Sequence, residues 1–170
     1  SGGVYPTAMD AARGAGTQTA AFGVAGDSSG GGGPASTISN TYDGSTWTSQ
    51  GAITTSAMNM GTCGTQTAGL AWGGTSLPFT PRTATYEFDG STWTGGGAGT
   101  QTAGLGFGGR TLPPSGKYDI SAEYNGSTWT VGNTLGAANN ALMGTGIQTA
   151  ALAMGGNNPS VTTGVQEYDG

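Results

Sequence analysis

Histidine is absent from the 170 residues, cysteine occurs once, and nine carboxylates are the main groups able to do chemistry. Without imidazole, a Ser-His-Asp triad, histidine acid–base catalysis and histidine-containing zinc sites are all excluded. The carboxylates are Asp10, Asp27, Asp43, Glu87, Asp89, Asp119, Glu123, Glu167 and Asp169. Two carboxyl groups held together in space can hydrolyse a glycoside, but no local motif pairs any of these. Asp43, Asp89 and Asp169 each precede a glycine and read as turn formers. Glu87, Glu123 and Glu167 recur at one hairpin position and read as an exposed edge. Single aspartates do not supply the roughly six or more oxygens of a calcium loop. Gly30–Gly33 lacks the lysine of a phosphate-binding loop. Cys63 has no partner for an intrachain disulfide and no basic neighbour to lower its pKa. It reads as a small residue in a turn. No catalytic, cofactor-binding or metal-ligating residue is assigned, no enzymatic activity and no cofactor are expected, and the ligand-binding residues are left unassigned.

Charge is sparse, at 8 % of residues, with a net charge of −5. The basic residues Arg13, Arg82, Arg110 and Lys117 are scattered, so no stripe exists to neutralise phosphates. Nucleic-acid binding is not expected. No apolar run is long enough to span a bilayer, so membrane insertion is not expected either. The polar surface falls to Ser, Thr, Asn and Gln, a character common on extracellular and virion proteins.

What organises these residues is repetition. Thr-Gln-Thr-Ala occurs at Thr17–Ala20, Thr65–Ala68 and Thr100–Ala103, and as Ile147-Gln148-Thr149-Ala150. A second phrase alternates with it: Tyr42-Asp43-Gly44-Ser45-Thr46-Trp47-Thr48, Phe88-Asp89-Gly90-Ser91-Thr92-Trp93-Thr94 and Tyr124-Asn125-Gly126-Ser127-Thr128-Trp129-Thr130, with Tyr168-Asp169-Gly170 as a partial fourth copy. The sequon Asn125-Gly126-Ser127 is accounted for by the turn, since Asp fills that position elsewhere. Glutamine spacings are 48 (18 to 66), 35 (66 to 101) and 47 (101 to 148). Gly plus Pro is 36 + 7 = 43 residues, but the glycines are periodic, which favours an ordered, turn-rich β protein over disorder.

The first phrase reads as a strand with unequal faces. Gln66, Ala68, Leu70 and Trp72 lie on one side, with Thr67, Gly69 and Ala71 on the other. A face of Gly, Ala and Thr lets another sheet approach, and the large face fills the space opposite. Gly73-Gly74, Gly108-Gly109 and Gly155-Gly156 close three of these strands; the first copy departs, with Gly23-Val24-Ala25-Gly26. The second phrase reads as a hairpin around Asp-Gly or Asn-Gly in a type I′ turn. The flanking aromatics are five apart, so with a two- or a four-residue loop both land on one face, as a cross-strand or diagonal pair. Ala8–Ala11, Ala57–Met60 and Asn140–Met143 read as a further strand, each followed by a short glycine turn. The Trp-to-Gln interval is 19 residues in two cases and 8 between Trp93 and Gln101, so that unit is short by 19 − 8 = 11 residues, about one strand. The least repetitive segments are Asp27–Ser36, Thr75–Arg82, Arg110–Lys117 and Asn157–Thr162. Variable loops on a repeated scaffold are where recognition usually resides, although neutral connectors look the same.

Gly73-Gly74 followed by Phe88-Asp89 and Trp93 resembles a kelch-type β-propeller repeat, over nearly the whole chain. Kelch repeats place the Trp farther from the aromatic than here. The phrases resemble more closely the degenerate arrays in predicted tail-fibre and other structural proteins of bacteriophages, notably of marine cyanobacterial phages. The expected fold is all-β, a kelch-like β-propeller of about four repeats of roughly 47 residues with the third interval shortened. Residues 1–170 are expected to form a single repeat domain, a segment of a longer or assembled protein. The resemblance implies a virion or cell-surface location and a tail-fibre-type module for host-surface adhesion. Its partners would be other virion proteins or copies of itself, and a host-surface glycan or protein. The alternatives are a purely structural spacer of a virion or surface fibre, and a bacterial surface adhesin.

Overall fold

The computed structural model describes residues 2–28, 33–78, 80–95, 103–108, 116–139, 142–157 and 160–170. Among these there is no helix, and the chain is all-β, in small antiparallel sheets. It divides into two compact units, Ser1–Gln101 and Thr102–Gly170.

The first unit holds two four-stranded sheets. The first sheet has the order β1-β2-β3-β4, with β1 Arg13–Thr17, β2 Ala20–Val24, β3 Ser39–Tyr42 and β4 Trp47–Ser49. The second contains β5 Gly61–Thr65, β6 Ala68–Trp72, β9 Thr85–Phe88 and β10 Trp93–Gly95, in the order β10-β9-β6-β5. A two-stranded ribbon, β7 Thr75–Ser76 and β8 Thr80–Pro81, interrupts the connection from β6 to β9. The second unit holds two three-stranded sheets. The third sheet is β11 Gly104–Phe107, β12 Ser121–Tyr124 and β13 Trp129–Val131. The fourth is β14 Met143–Ile147, β15 Ala150–Met154 and β16 Val165–Tyr168. The third sheet thus has one strand fewer than the first two among the described residues. Most of the shortened interval from Trp93 to Gln101 falls on residues 96–102, outside the described ones.

Two elements sit one step along from where the pattern places them. Gln18-Thr19, Gln66-Thr67 and Gln148-Thr149 are two-residue hairpin loops, joining the opposed pairs Thr17↔Ala20, Thr65↔Ala68 and Ile147↔Ala150. Glutamine is therefore at the turn and not on the strand. The glycine-rich segments expected as turns are strands β1, β5 and β14. Ala57–Met60 makes only the isolated bridges Ser36↔Ala57 and Met58↔Thr75, and Ala8–Ala11 only Asp10↔Asp27. Asn140 and Ala141 lie outside the described residues. The reason is close approach of backbone. A Cβ on Gly14 would lie 2.3 Å from the Phe22 carbonyl oxygen, and one on Gly16 2.3 Å from that of Ala20. Such strands need glycine despite its poor strand propensity.

The aromatic hairpins form as the spacing requires. Tyr42↔Trp47, Phe88↔Trp93 and Tyr124↔Trp129 are directly opposed, with ring centroids 5.0, 4.7 and 5.2 Å apart. The turn is not type I′, because only the glycine takes positive φ: 97° at Gly44, 101° at Gly90 and 94° at Gly126. A four-residue loop is closed instead by the side chain before the glycine. Asp43 Oδ1 accepts from the backbone N–H groups of Ser45 and Thr46, both at 2.8 Å, while the two hydroxyls donate to Oδ1 and Oδ2. Asp89 repeats this pattern with Ser91 and Thr92. Asn125 Oδ1 does the same work, accepting from Ser127 N at 3.0 Å and Thr128 N at 2.9 Å.

The unequal faces meet as expected. Phe22, on the large face of β2, lies over Gly69 of β6, where a Cβ would come within 2.6 Å of its ring. It also touches Phe88 and Trp93 at centroid distances of 5.9 and 5.5 Å. The Trp93 indole N–H donates to Ser39 Oγ at 2.9 Å. In the second unit Phe107 of β11 lies over Gly144 of β14, again a ring on a glycine of the next sheet but on the first hairpin strand instead of the second. The recurring glutamates correct the exposed-edge reading. Glu87, on interior strand β9, is 3 % exposed. Glu123, on interior strand β12, is half-buried, and Glu167, on edge strand β16, is exposed.

Backbone N–H donors, of Thr46 on Asp43 and of Thr92 on Asp89, hold both carboxyls well below the usual carboxylate range. A depressed folded pKa gives stability that is present above the ordinary value and lost as pH falls toward the folded one. The double variant Asp43→Asn/Asp89→Asn is expected to stay folded, as Asn125 shows that an amide oxygen suffices. Its urea midpoint should change less than the parent's between about pH 5 and about pH 2. An unchanged pH dependence would refute this account of the turns.

Candidate functional site

Each sheet has two unlike ends, set by the antiparallel register. Ala21 opposes Tyr42, so the β1–β2 turn and the Asp-Gly turn lie at the same end. These two turns touch: a Cβ on Gly44 would meet Thr19 at 3.4 Å, and one on Gly90 would meet the Thr67 methyl at 3.4 Å. The irregular segments between second and third strands emerge at the other end.

At the turn end, glutamine ties neighbouring sheets together within each unit. Gln66 Nε2, in the second sheet, donates to the carbonyl oxygen of Tyr42 in the first at 2.7 Å. Gln148 Nε2, in the fourth sheet, donates to the carbonyl oxygens of Tyr124 and Gly104 in the third, both at 2.9 Å. Those two residues are themselves opposed across β11 and β12. The separation of glutamine from its aromatic acceptor is 24 residues in both units. Repetition of Thr-Gln-Thr-Ala therefore has a mechanical cause: a threonine to end the strand, an amide to reach the neighbour, a threonine against the Asp-Gly turn. Reading Gln66 as a strand residue missed this; the two-residue gap between glycine-rich and apolar runs was the available signal.

At the opposite end the variable segments are drawn side by side. Asp27 bridges both Asp10 and Ala35, Ser36 bridges Ala57, and Met58 bridges Thr75. Segments 27–36 and 75–82 are thus laced together through 57–58. Asp27, 3 % exposed, accepts from Gly33 N at 3.0 Å. Residues 29–32 and Phe79 lie outside the described ones. In the second unit Tyr118 bridges Asn139, whose Nδ2 donates to Gly155 O at 3.0 Å. Lys117 Nζ donates to Asn157 Oδ1 at 3.0 Å, and Asn157 bridges Val161. Around these bonds Tyr118, Ile120 and Val161 are solvent-exposed. Residues 109–115 and 158–159 lie outside the described ones.

Reactive chemistry is not gathered at either end. Among the described residues no three of His, Cys, Asp and Glu come together to hold a metal ion. Cys63 lies on β5 opposite Leu70, and burial pushes its thiol up to about 11, which keeps it protonated and unreactive near neutrality. Glu123 Oε1 accepts the Tyr168 hydroxyl at 2.5 Å, an internal tie between the third and fourth sheets. The sequon at Asn125 is occupied structurally by its turn bonds. No protein-family model matches this chain, and no curated protein is significantly similar to it.

Removing a tie should be measurable. Gln66→Ala is expected to lower unfolding stability by about 1 kcal/mol and Gln148→Ala by roughly twice that, since it loses two bonds. Chemical denaturation with circular dichroism checks both. Equal, negligible losses would show that the glutamines are ornamental.

Proposed function

We propose that the chain is a non-enzymatic module of a virion appendage, of tail-fibre type, that adheres to a host-surface glycan or protein through its variable segments. Its sheets would be the blades of a kelch-like β-propeller, with glycine-rich β1 and β5 as adjacent inner strands. Thr62 Oγ1 of β5 donates to Gly14 O of β1 at 3.0 Å, which supports that stacking. The observation that carries the reading is the division of labour between the two ends. Turns at one end are locked by side-chain bonds, while sequence-variable segments are held together at the other. In the second unit an exposed tyrosine, Tyr118, directly follows one of these segments, whose Lys117 forms an amide–ammonium pair with Asn157. An aromatic face beside an amide and a single ammonium offers stacking and hydrogen bonds without a run of charge, which suits a polyhydroxylated ligand better than a charged polymer.

A glycan array probed with the purified chain tests this. Binding is expected to a restricted set of glycans, and Tyr118→Ala should weaken it about tenfold, one aromatic contact being worth about 1.4 kcal/mol. Thr130→Ala, on the exposed face of β13, serves as the control and should leave binding unchanged. Absence of binding to every glycan, together with absence of binding to host envelope protein, would leave the structural-spacer reading in its place.

A further inference from the structure

The joint between sheets has two complementary halves, and each half also occurs incompletely covered. One half is the small face of a sheet with its turn glutamine. The other is the large face of the preceding sheet with its aromatic carbonyl. In the first unit, Phe22 covers Gly69, Phe88 and Trp93 while Gln66 holds Tyr42 O. In the second, Phe107 covers Gly144 while Gln148 holds Tyr124 O.

The first sheet shows the same small face covered only in part, by the segment Gly2–Tyr5, which lies against Tyr42, Trp47 and Gly23. Gln18, the counterpart of Gln66, is exposed and has no hydrogen bond to any described residue. Ala21, the counterpart of Gly69, is incompletely covered, as are Tyr42 and Trp47, whereas their counterparts Phe88 and Trp93 are 2 % and 6 % exposed. Tyr5 reaches Gly23 and Trp47, and Ala21 beside them remains half-buried. The fourth sheet shows the opposite half. Leu152 stands where Phe22 and Leu70 stand, yet is 37 % exposed against their 1 % and 0 %. Ile147 and Val165 share its face by cross-strand register and are 62 % and 59 % exposed. Three apolar side chains from three strands share this sheet face, with Glu167 directly opposite Leu152 and an aromatic carbonyl beside them, and they match what the first sheet lacks.

We infer that the large face of the fourth sheet docks on the small face of the first sheet of a second copy, head to tail. Leu152 would lie over Ala21 and against Tyr42 and Trp47, and Gln18 would donate to the Tyr168 carbonyl. The occupant is a second copy because the contact continues an interface that the chain already forms twice with its own residues. A contact between two different patches is heterologous, so it propagates into a ring or filament. This inference rests on how the sheets stack and not on the adhesive reading.

Sedimentation velocity over about 1 μM to about 100 μM tests it. The parent mass is expected to rise with concentration. Leu152→Asp and Gln18→Glu, both at exposed positions, should each stay monomeric with an unchanged circular dichroism spectrum. Mixed together they should give 1:1 dimers and stop there, because only one sound contact can form between them. A monomer at every concentration, including one closed on itself, overturns the inference. So does association that survives both substitutions.

Discussion

A large side chain of one sheet resting on a glycine of the next, with a glutamine amide tying the same two sheets at their turns, is the contact on which each unit depends. The two parts differ in kind. Full burial of a phenylalanine such as Phe22 is worth about 1.5–3 kcal/mol, and is indifferent to register. A neutral hydrogen bond adds about 1 kcal/mol net, but only where donor and acceptor are in line. Burial therefore drives the association and the amide fixes where it stops. The sparse charge makes neutral bonds the only abundant means of doing this. A backbone carbonyl has a second lone pair available after sheet pairing. Gln148 exploits that twice, using both amide hydrogens on the opposed carbonyls of Tyr124 and Gly104.

The glycine content follows from the same contact. Gly69 lies under Phe22 and Gly144 under Phe107, each too close to a ring of the neighbouring sheet to bear a Cβ, while Gly61 makes room for Trp72, its opposed residue in the same sheet. Gly16 and Gly146 are fixed by hairpin backbone and by φ values of 123° and 122°. A composition at the edge of low complexity is thus what a stack of thin sheets with large-on-small faces requires.

The all-β class, the aromatic pairs and the large-on-small alternation were all legible in the residues. Period and five-residue spacing depend on strand geometry alone, which local sequence encodes. The glycine-rich strands β1, β5 and β14 were not legible. Glycine serves both as a turn former and as the residue that permits close approach, and only the neighbouring sheet distinguishes the two. Burial of Glu87 was hidden for a related reason. Whether a hairpin strand is interior or at an edge depends on which strand pairs with its far side. The variable segments were marked by their lack of repetition, but their lacing through Ala57 and Met58 depends on pairings tens of residues apart.

One departure from the repeat shows how loosely the loop end constrains the fold. Where the later copies place Gly73, Gly108 and Gly155, all at φ 65°, the first copy has Ala25 at φ 59°. A left-handed alanine costs about 1–2 kcal/mol relative to glycine. Its methyl is buried to 1 % exposure, which returns about 0.8 kcal/mol of that. The backbone conformation is thus retained even where the residue best suited to it is absent, because Ala25 N donates to Ile38 O and Gly26 N to Ala57 O. Those bonds belong to strand exits and not to loop tips. Beyond them, lengthening a segment adds only about 0.6 kcal/mol per doubling. The scaffold can therefore hold its strand exits fixed while the segments between them change, which is the physical condition for one fold to carry many surfaces.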